Sequence, residues 1–386
     1  MDDTTKKIYE IGTIIRGYFF DGESSIVVLS RAMAEGDLIL SKKVLTLSDE
    51  DKAAYIIQTI DQFAHTNGSY PSSITIEKVG IGFALGATYD EAHKRLLFTR
   101  KVGHKGSSKR KDVMKGKISV VTGGAQGFGA GIVKGLIEEG GIVYIADMNE
   151  KGAIESANQL NEEYKHTVAF PIYVNVTSEE SVEQMIHTIA MTTGGFDLFV
   201  SNAGVLKAGS VKEMSLKDFE FVTSVDYTGF FICTKFASRL LTLQNVGSRN
   251  RYMSDIISMS SKSGLEGSNK NGAYAGAKFG TIGLTQSFAL ELIRDNIKVN
   301  SICPGNFLDG PLWSDPEKGL FVQYLNTKKV PGATTLSDVR KFYESKVPIQ
   351  RGCTVEDVVR AICYIVEQKY ETGQAVPVTG GQVMLN

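Results

Sequence analysis

The sequence predicts an α/β fold: a doubly wound parallel sheet with a small N-terminal α/β extension. Seven short apolar runs alternate with helical patterns from residue 116 onward, which indicates βαβ units with right-handed crossovers. The runs are continuously apolar rather than alternating, as expected of strands that are buried on both faces. A glycine-rich turn joins the first run to the first helix. The predicted strands are 118–122, 142–147, 168–174, 198–201, 256–259, 298–303 and 375–378.

Length and charge limit the possible classes of protein. The chain has 386 residues, with 42 Lys and Arg against 43 Asp and Glu. At roughly 150 residues per domain, this length predicts two or three domains. The balanced charge argues against a nucleic-acid partner or a polybasic membrane anchor. The polar start is unlike a secretory signal, and no apolar run reaches the roughly 18 residues of a membrane helix. We therefore expect a cytoplasmic protein with no nucleic-acid and no membrane partner.

The cysteines and histidines do not indicate a metal site. The four cysteines form no CxxC pair and lie in apolar sequence, which favours buried thiols over disulfides. The five histidines never occur in HxH or HxxxH spacing. We therefore expect no metal ion.

A polar, basic segment divides the chain. Residues 105–115 (KGSSKRKDVMK) lack hydrophobic periodicity and predict a linker. This linker would join a module of residues 1–104 to a larger domain of residues 116–386. The module shows no pairing of a nucleophile with a base, and we interpret it as a structural or oligomerisation unit of open role.

The first hundred residues have the pattern of a small α/β unit. Ser48 with Asp51 forms a capping box before one helical pattern, and Thr88 precedes a second. Residues 24–30 predict a strand, and residues 73–85 predict either a strand pair or one strand with a glycine bulge. The stretch ITIEKVGIGFALGATYDEA resembles the last strand and helix of class II aldolase domains. The metal-binding histidines of those domains are missing, so no lyase activity is implied.

The glycine turn has the spacing of a dinucleotide-binding site. Gly123, Gly127 and Gly129 lie between a predicted strand and a predicted helix, the context in which a Rossmann fold holds a pyrophosphate. The helix N-terminus would supply free N–H groups and a positive dipole end. Asp147 ends the second strand, 18 residues beyond Gly129. A carboxylate there accepts hydrogen bonds from ribose hydroxyls and repels a 2′-phosphate, so we expect NAD as the cofactor.

A catalytic set is predicted after the fifth strand. Tyr274 and Lys278 are one helical turn apart and project from one face of a helix. An ammonium beside a phenol favours the phenolate, which makes Tyr274 a usable general acid or base at a carbinol oxygen. Ser261 ends the preceding strand and can hydrogen-bond the same oxygen.

Residues 116–386 resemble a complete short-chain dehydrogenase/reductase. The motifs that carry the resemblance are TGGAQGFG at 122–129, SNAG at 201–204, the Ser–Tyr–Lys set, and PG at 304–305. The resemblance implies hydride transfer at a secondary alcohol, with Ser261, Tyr274 and Lys278 as catalytic residues. The residues that it implies as cofactor contacts are Thr122, Gly123, Gln126, Gly127, Phe128, Gly129, Asp147, Asn175, Val176, Asn202, Ala203, Gly204, Tyr274, Lys278, Pro304 and Gly305.

Two positions depart from the family pattern. Asp226 stands where the family has an active-site Asn that holds a water of the proton relay, and we count it with the catalytic residues. Its charge should bind Lys278, so we expect retained activity with a shifted pH dependence. Asn175 replaces an Asp that contacts adenine and keeps a hydrogen-bonding side chain.

Three further stretches resemble family members that oxidise sugar-alcohol phosphates. They are SKSGLEGSNKNGAYAGAKFGTIGLTQSFALEL, KVPIQRGCTVEDV and TGQAVPVTGGQVMLN. The resemblance implies NAD-dependent, reversible oxidation of a small sugar-phosphate substrate, by a homodimer or homotetramer. A phosphate group needs nearby cations, and we favour Lys207 and Lys262 over Lys270 and Arg351 for this role.

Two alternatives stay open. The first is a dehydrogenase of the same fold that acts on another polyol, a sugar acid or an acyl-carrier ketone. The second is an NAD-binding regulatory or scaffold protein whose catalysis is damped by Asp226, with the function carried by the N-terminal module.

Overall fold

The computed structural model describes residues 3–20, 25–33, 35–94, 113–249, 251–317, 319–326, 328 and 330–384. Most of the predicted linker 105–115 therefore lies outside the described residues. None of the helices in these ranges is long and apolar enough to span a bilayer.

Helices and strands alternate along most of the chain. The helices are α1 (Asp3–Tyr18), α2 (Asp49–Asn67), α3 (Tyr89–Lys94), α4 (Gly127–Glu138), α5 (Glu150–Tyr164), α6 (Glu179–Thr193), α7 (Leu216–Thr223), α8 (Gly229–Gly247), α9 (Gly272–Leu292), α10 (Pro311–Ser314), α11 (Leu320–Asn326), α12 (Leu336–Ser345) and α13 (Val355–Glu367). The strands are β1 (Val27–Ala32), β2 (Leu38–Leu40), β3 (Ser73–Ile76), β4 (Ile81–Gly86), β5 (Ile118–Thr122), β6 (Ile142–Asp147), β7 (Ala169–Tyr173), β8 (Leu198–Ser201), β9 (Ser254–Met259), β10 (Ile297–Pro304) and β11 (Ala375–Val378).

A seven-stranded parallel sheet forms the centre of the larger part. Its strand order is β11-β10-β9-β8-β5-β6-β7, and every pairing is parallel. This confirms the predicted fold and all seven predicted strands, with bounds that differ by at most two residues. After β7 the chain crosses through α6 and returns to pair β8 with β5. The strand order therefore reverses between β5 and β8, and a ligand crevice is expected at the carboxyl ends of these strands.

The N-terminal extension has a four-stranded sheet of its own, in the order β1-β4-β3-β2. The predicted segment 73–85 is a strand pair, because β3 and β4 run antiparallel around a turn in which Lys78 and Gly80 have positive φ. The Ser48 hydroxyl accepts the Asp51 N–H and the Thr88 hydroxyl accepts the Glu91 N–H, so both residues cap their helices as predicted. The Asp51 carboxylate accepts from the Ser48 hydroxyl at 2.7 Å instead of from the Ser48 N–H that a capping box requires.

The first helix, α1, was not predicted from the sequence. Its Ile8, Ile11, Ile14 and Ile15 are buried and recur at helical spacing. The helix is buried on every face over residues 8–18, polar Thr13 and charged Arg16 included, so the sequence lacks the contrast between an apolar and a polar face. The short strand β2 was not predicted either.

Helix α1 packs against α8 with almost no space between the two backbones. A Cβ on Gly17 would lie 1.9 Å from the Gln244 carbonyl oxygen, and a Cβ on Gly247 would lie 2.4 Å from that of Ile14. Glycine at both positions therefore permits the close approach.

A buried ion pair joins the extension to the central sheet. The Nη2 of Arg16 lies 2.6 Å from Oδ2 of Asp197, and the two side chains are 0% and 1% exposed. Arg16 also donates to the Gln244 side chain and the Ile26 carbonyl, while Asp197 Oδ2 accepts the Ile118 N–H at 2.6 Å. The pair thus lies where α1 meets the start of β5 and β8.

Replacing Arg16 tests how much this contact stabilises the whole chain. We expect Arg16→Ala to lower the free energy of unfolding by about 3–5 kcal/mol, because it leaves the Asp197 carboxylate buried without its cation. Chemical denaturation measures the change. Arg360→Ala is the control, because Arg360 forms an exposed pair with Glu356 and its loss should cost less than about 1 kcal/mol. Equal effects of the two substitutions would contradict this role of the buried pair.

Candidate active site

A cleft of about 1160 Å³ opens at the expected switch point of the sheet. Most of the predicted site residues line it. The predicted site residues that do not line the cleft are Thr122, Lys207 and Asp226.

The glycine turn is shaped for close approach of a ligand to the backbone. Gly123 has φ 66°, and a Cβ on Gly129 would lie 1.9 Å from the Gly123 carbonyl oxygen. Thr122 lies behind the turn, where its hydroxyl accepts the N–H groups of Asn202 and Ala203, both at 3.0 Å. The Asn202 amide in turn donates to the Thr122 carbonyl at 2.9 Å. Thr122 therefore holds the shape of the turn from behind and does not face the cleft.

Asp147 lies beside the turn at the end of β6. Its carboxylate accepts the Ala125 N–H at 2.9 Å and the Asn149 N–H at 2.8 Å, so its orientation is fixed in the absence of a ligand. Asn175 lines the cleft further along. Its side-chain oxygen accepts from the N–H and hydroxyl of Thr177, which leaves its NH₂ group to face a ligand.

The predicted catalytic residues converge on the same cleft. Ser261 leaves β9, and its hydroxyl accepts the Ser263 N–H at 3.1 Å, which fixes the start of a short 3₁₀ turn. Tyr274 and Lys278 lie on α9, and the Lys278 ammonium is 5.4 Å from the centroid of the Tyr274 ring. A second lone pair of the Ser261 oxygen and its proton stay available to a substrate oxygen.

Lys278 is a buried ammonium with fixed partners. It donates to the Met259 carbonyl at 2.9 Å and lies 3.3 Å from Oδ2 of Asp226. Burial lowers the pKa of Lys278, but attraction to Asp226 and to Tyr274 outweighs burial, so this pKa is raised above its usual value. The lysine is therefore charged at neutral pH.

Asp226 sits in a π-helical turn, Ser224–Thr228, between α7 and α8. Such turns occur often at functional sites because they redirect one side chain. Oδ1 of Asp226 accepts the Val205 N–H at 2.7 Å, and burial raises the pKa of Asp226, with Lys278 and the Val205 N–H offsetting part of the rise. Asp226 reaches the site through Lys278, as predicted, and does not line the cleft.

Of the two lysines predicted to bind phosphate, the structure brings only Lys262 to the cleft. Lys207 points to Asp218, 2.9 Å away, and both side chains are about half exposed. Lys262 lines the cleft, with the Glu266 carboxylate at 3.6 Å. Lys270 also lines the cleft, whereas Arg351 is held by two hydrogen bonds to Asp357.

Several cleft residues come from a segment that the sequence did not single out residue by residue. The described residues of 307–346 fold over the cleft around Leu308, Trp313 and Val339, with their own hydrophobic cluster. The inner side of this covering segment includes Tyr324, Tyr343 and Lys346. The aromatic-rich run after the PG motif was the available signal, but which residues face inward depends on how the short helices fold back.

The cleft carries more positive than negative charge. Among the described residues that line it, Asp147 is the single carboxylate, and it lies beside the glycine turn. Lys262, Lys270, Lys346 and the buried Lys278 also line the cleft. The excess of lysines therefore favours an anionic ligand.

The residues present fit a dinucleotide. The glycine turn leaves room that side chains would fill, α4 presents its N-terminus, and Asp147 is oriented beside it. In addition, Phe307 stacks on Phe128 at 4.2 Å and covers the turn from the other side.

The comparison with known families agrees with this geometry. The family model described as short chain dehydrogenase matches residues 117–315, about half of the chain. The chain is a member of the short-chain dehydrogenase/reductase family. Members of this family are enzymes that typically use a nicotinamide cofactor.

Individual relatives of this dehydrogenase match over its larger part. It is 36% identical over 270 residues to sorbitol-6-phosphate 2-dehydrogenase of Escherichia coli, covering 69% of this chain and 99% of the relative. The crystal structure of sorbitol-6-phosphate 2-dehydrogenase from Erwinia amylovora is 38% identical, with a TM-score of 0.63 over 69% of this chain and 100% of that one. A 3-oxoacyl-(acyl-carrier-protein) reductase of Aquifex aeolicus is 28% identical, over 69% of this chain and 98% of its own length.

The ion pair between Asp226 and Lys278 predicts a pH effect in this dehydrogenase. Attraction to Asp226 helps to raise the pKa of the buried Lys278 ammonium above its usual value. We expect Asp226→Asn to move the basic limb of kcat/KM for alcohol oxidation to lower pH, because Lys278 without this carboxylate loses its proton at a lower pH. Rates measured across pH test this. Asp218→Asn is the control, since Asp218 pairs with Lys207 at the surface, and a profile that both substitutions leave unchanged would contradict the effect.

Proposed function

We propose that this dehydrogenase oxidises D-sorbitol 6-phosphate to D-fructose 6-phosphate with NAD. One observation carries the proposal: the Ser–Tyr–Lys groups share one cleft with three further lysines, and a single carboxylate, that of Asp147, lines it among the described residues. The catalytic groups suit a secondary alcohol, and the lysines suit a phosphate ester. Similarity to two sorbitol-6-phosphate 2-dehydrogenases supports the same substrate.

The choice of NAD rests on Asp147. Its carboxylate is held by two backbone N–H groups beside the glycine turn, where an adenosine ribose would lie. A 2′-phosphate there would meet a fixed negative charge, whereas two ribose hydroxyls would find an acceptor. We therefore expect a strong preference for NAD over NADP.

A small number of groups would carry out the proposed oxidation of the alcohol. When bound, NAD would supply the acceptor for the hydride that leaves C2 of the alcohol. Tyr274 removes the proton of the C2 hydroxyl, and Ser261 donates a hydrogen bond to the same oxygen as it becomes a carbonyl. Lys278 stabilises the phenolate form of Tyr274 from its buried position and, with Tyr274, would hold the nicotinamide ribose. Asp226 and the Met259 carbonyl keep Lys278 in place.

Lys262 follows Ser261 directly and is proposed to contact the phosphate. Its 3.6 Å separation from Glu266 is too long for a strong ion pair, so its charge stays available to a ligand. Lys207 is no longer favoured for this role, because its partner Asp218 is closer and lies outside the cleft. A homodimer or homotetramer stays a prediction.

The proposed function is tested by NADH formation from purified full-length protein. D-sorbitol 6-phosphate, D-sorbitol and mannitol 1-phosphate are compared, each with NAD and with NADP. We expect reduction of NAD with D-sorbitol 6-phosphate at the highest kcat/KM, and a loss of at least about a hundredfold in Tyr274→Phe, because the general base is removed. Faster turnover of another substrate, or of NADP, would contradict the proposal.

A second candidate function is favoured by one observation, the direct pairing of Asp226 with Lys278. If that pairing withdraws Lys278 from catalysis, the chain would bind NAD as a regulatory or scaffold protein. NAD binding without turnover of any substrate, combined with activity gained in Asp226→Asn, would support this candidate. Turnover by the wild-type protein excludes it.

A further inference from the structure

The covering segment, residues 307–346, brings a cation to the cleft that no motif indicated. Lys346 follows α12 directly and lines the cleft beside Tyr343. It therefore belongs to the part of the chain that covers the cleft rather than to the sheet edge that carries Ser261 and Lys262.

Lys346 is held by aromatic rings and not by a carboxylate. Its ammonium lies 4.2 Å from the centroid of the Phe342 ring and 5.4 Å from that of Tyr343. Within the described ranges it forms no ion pair. A cation–π contact at an exposed site is worth only about 0.5–1 kcal/mol and leaves the positive charge uncompensated.

Neighbouring cations of the same segment are arranged differently. Arg340, on α12, is paired with both Asp309 and Glu344 at 2.7 Å. Lys341 is exposed on the same helix and does not line the cleft. The combination of an uncompensated charge and a position in the cleft therefore singles out Lys346 on this helix.

Two cations from separate parts of the chain then line the same cleft. Lys262 comes from the turn after β9, and Lys346 comes from the covering segment. A phosphate dianion has enough acceptor oxygens for both ammonium groups. Such an arrangement requires the covering segment to be in place for the phosphate to gain both contacts.

We propose that Lys346 is a specificity-determining residue that binds the phosphate group of the substrate from the covering segment, opposite the contact made by Lys262. This inference rests on the proposed function and extends it. Lys346 distinguishes a phosphorylated polyol from a free one, while Ser261 and Tyr274 act on the alcohol regardless of the phosphate.

The test compares Lys346→Gln with Lys346→Arg and with Lys341→Gln as the matched control on the same helix. We expect Lys346→Gln to raise the KM for D-sorbitol 6-phosphate roughly tenfold, the change that about 1.4 kcal/mol represents. The KM for D-sorbitol, the kcat and the Kd for NADH should stay within about twofold. Lys346→Arg should restore most of the affinity, and Lys341→Gln should match the wild type.

Three results would overturn the proposal. One is an unchanged KM for D-sorbitol 6-phosphate in Lys346→Gln. Another is an equal rise in KM for the phosphorylated and the free polyol, which would indicate a general packing role. The third is weaker NADH binding, which would assign Lys346 to the cofactor.

A failure of the proposed function is distinguishable from a failure of this inference. If the wild type oxidises no hexitol phosphate, the substrate is wrong, and Lys346 is then tested by titrating inorganic phosphate into the NADH complex. Weaker phosphate binding by Lys346→Gln than by Lys341→Gln would support an anion site at Lys346. Equal binding would overturn it.

Discussion

The site depends on the interactions that compensate the buried ammonium of Lys278. A charged group with 4% of its surface exposed needs compensation, because burial without partners would neutralise or displace it. The Met259 carbonyl at the end of β9 and the Asp226 carboxylate from the π-helical turn provide that compensation. Three elements, β9, the turn and α9, are therefore fixed relative to one another by a single side chain.

Close packing also holds α9 against the π-helical turn. A Cβ on Gly280 would lie 2.7 Å from the ring of Tyr227, so glycine at this position lets the two elements approach closely. This packing and the buried ion pair hold the catalytic groups in fixed positions, which is the condition for electrostatic catalysis without reorganisation.

Features of the fold and the site that depend on local sequence pattern could be predicted. Features that depend on tertiary contacts could not. The seven central strands were predictable because continuous apolar runs and a strand–glycine–helix turn are local signals. Helix α1 was missed because it is buried on every face over residues 8–18, charged Arg16 included, so its sequence does not show one apolar and one polar face. Lys207 was predicted to lie beside the substrate, but it pairs with Asp218 on α7. The spacing of the two residues in the sequence does not indicate this contact. The position of Lys346 in the cleft could not be predicted, because it depends on how α12 folds back over the cleft.

The extension is bound to the dehydrogenase part by buried contacts rather than merely tethered to it. Arg16 is 0% exposed against Asp197 at the start of β8, and α1 covers α8 through Gly17 and Gly247. The curated relative from Escherichia coli is covered over 99% of its length by only 69% of this chain. The remainder of this chain thus adds contacts to a fold that the relative forms without them.

Transfer of a labelled hydride tests the central claim most directly. The full-length protein would be incubated with NAD and D-sorbitol 6-phosphate carrying deuterium at C2, and the NADH analysed by mass spectrometry. The account predicts that each NADH gains one deuterium and that the D-fructose 6-phosphate formed retains none. Unlabelled NADH, or a product oxidised at another carbon, would contradict it.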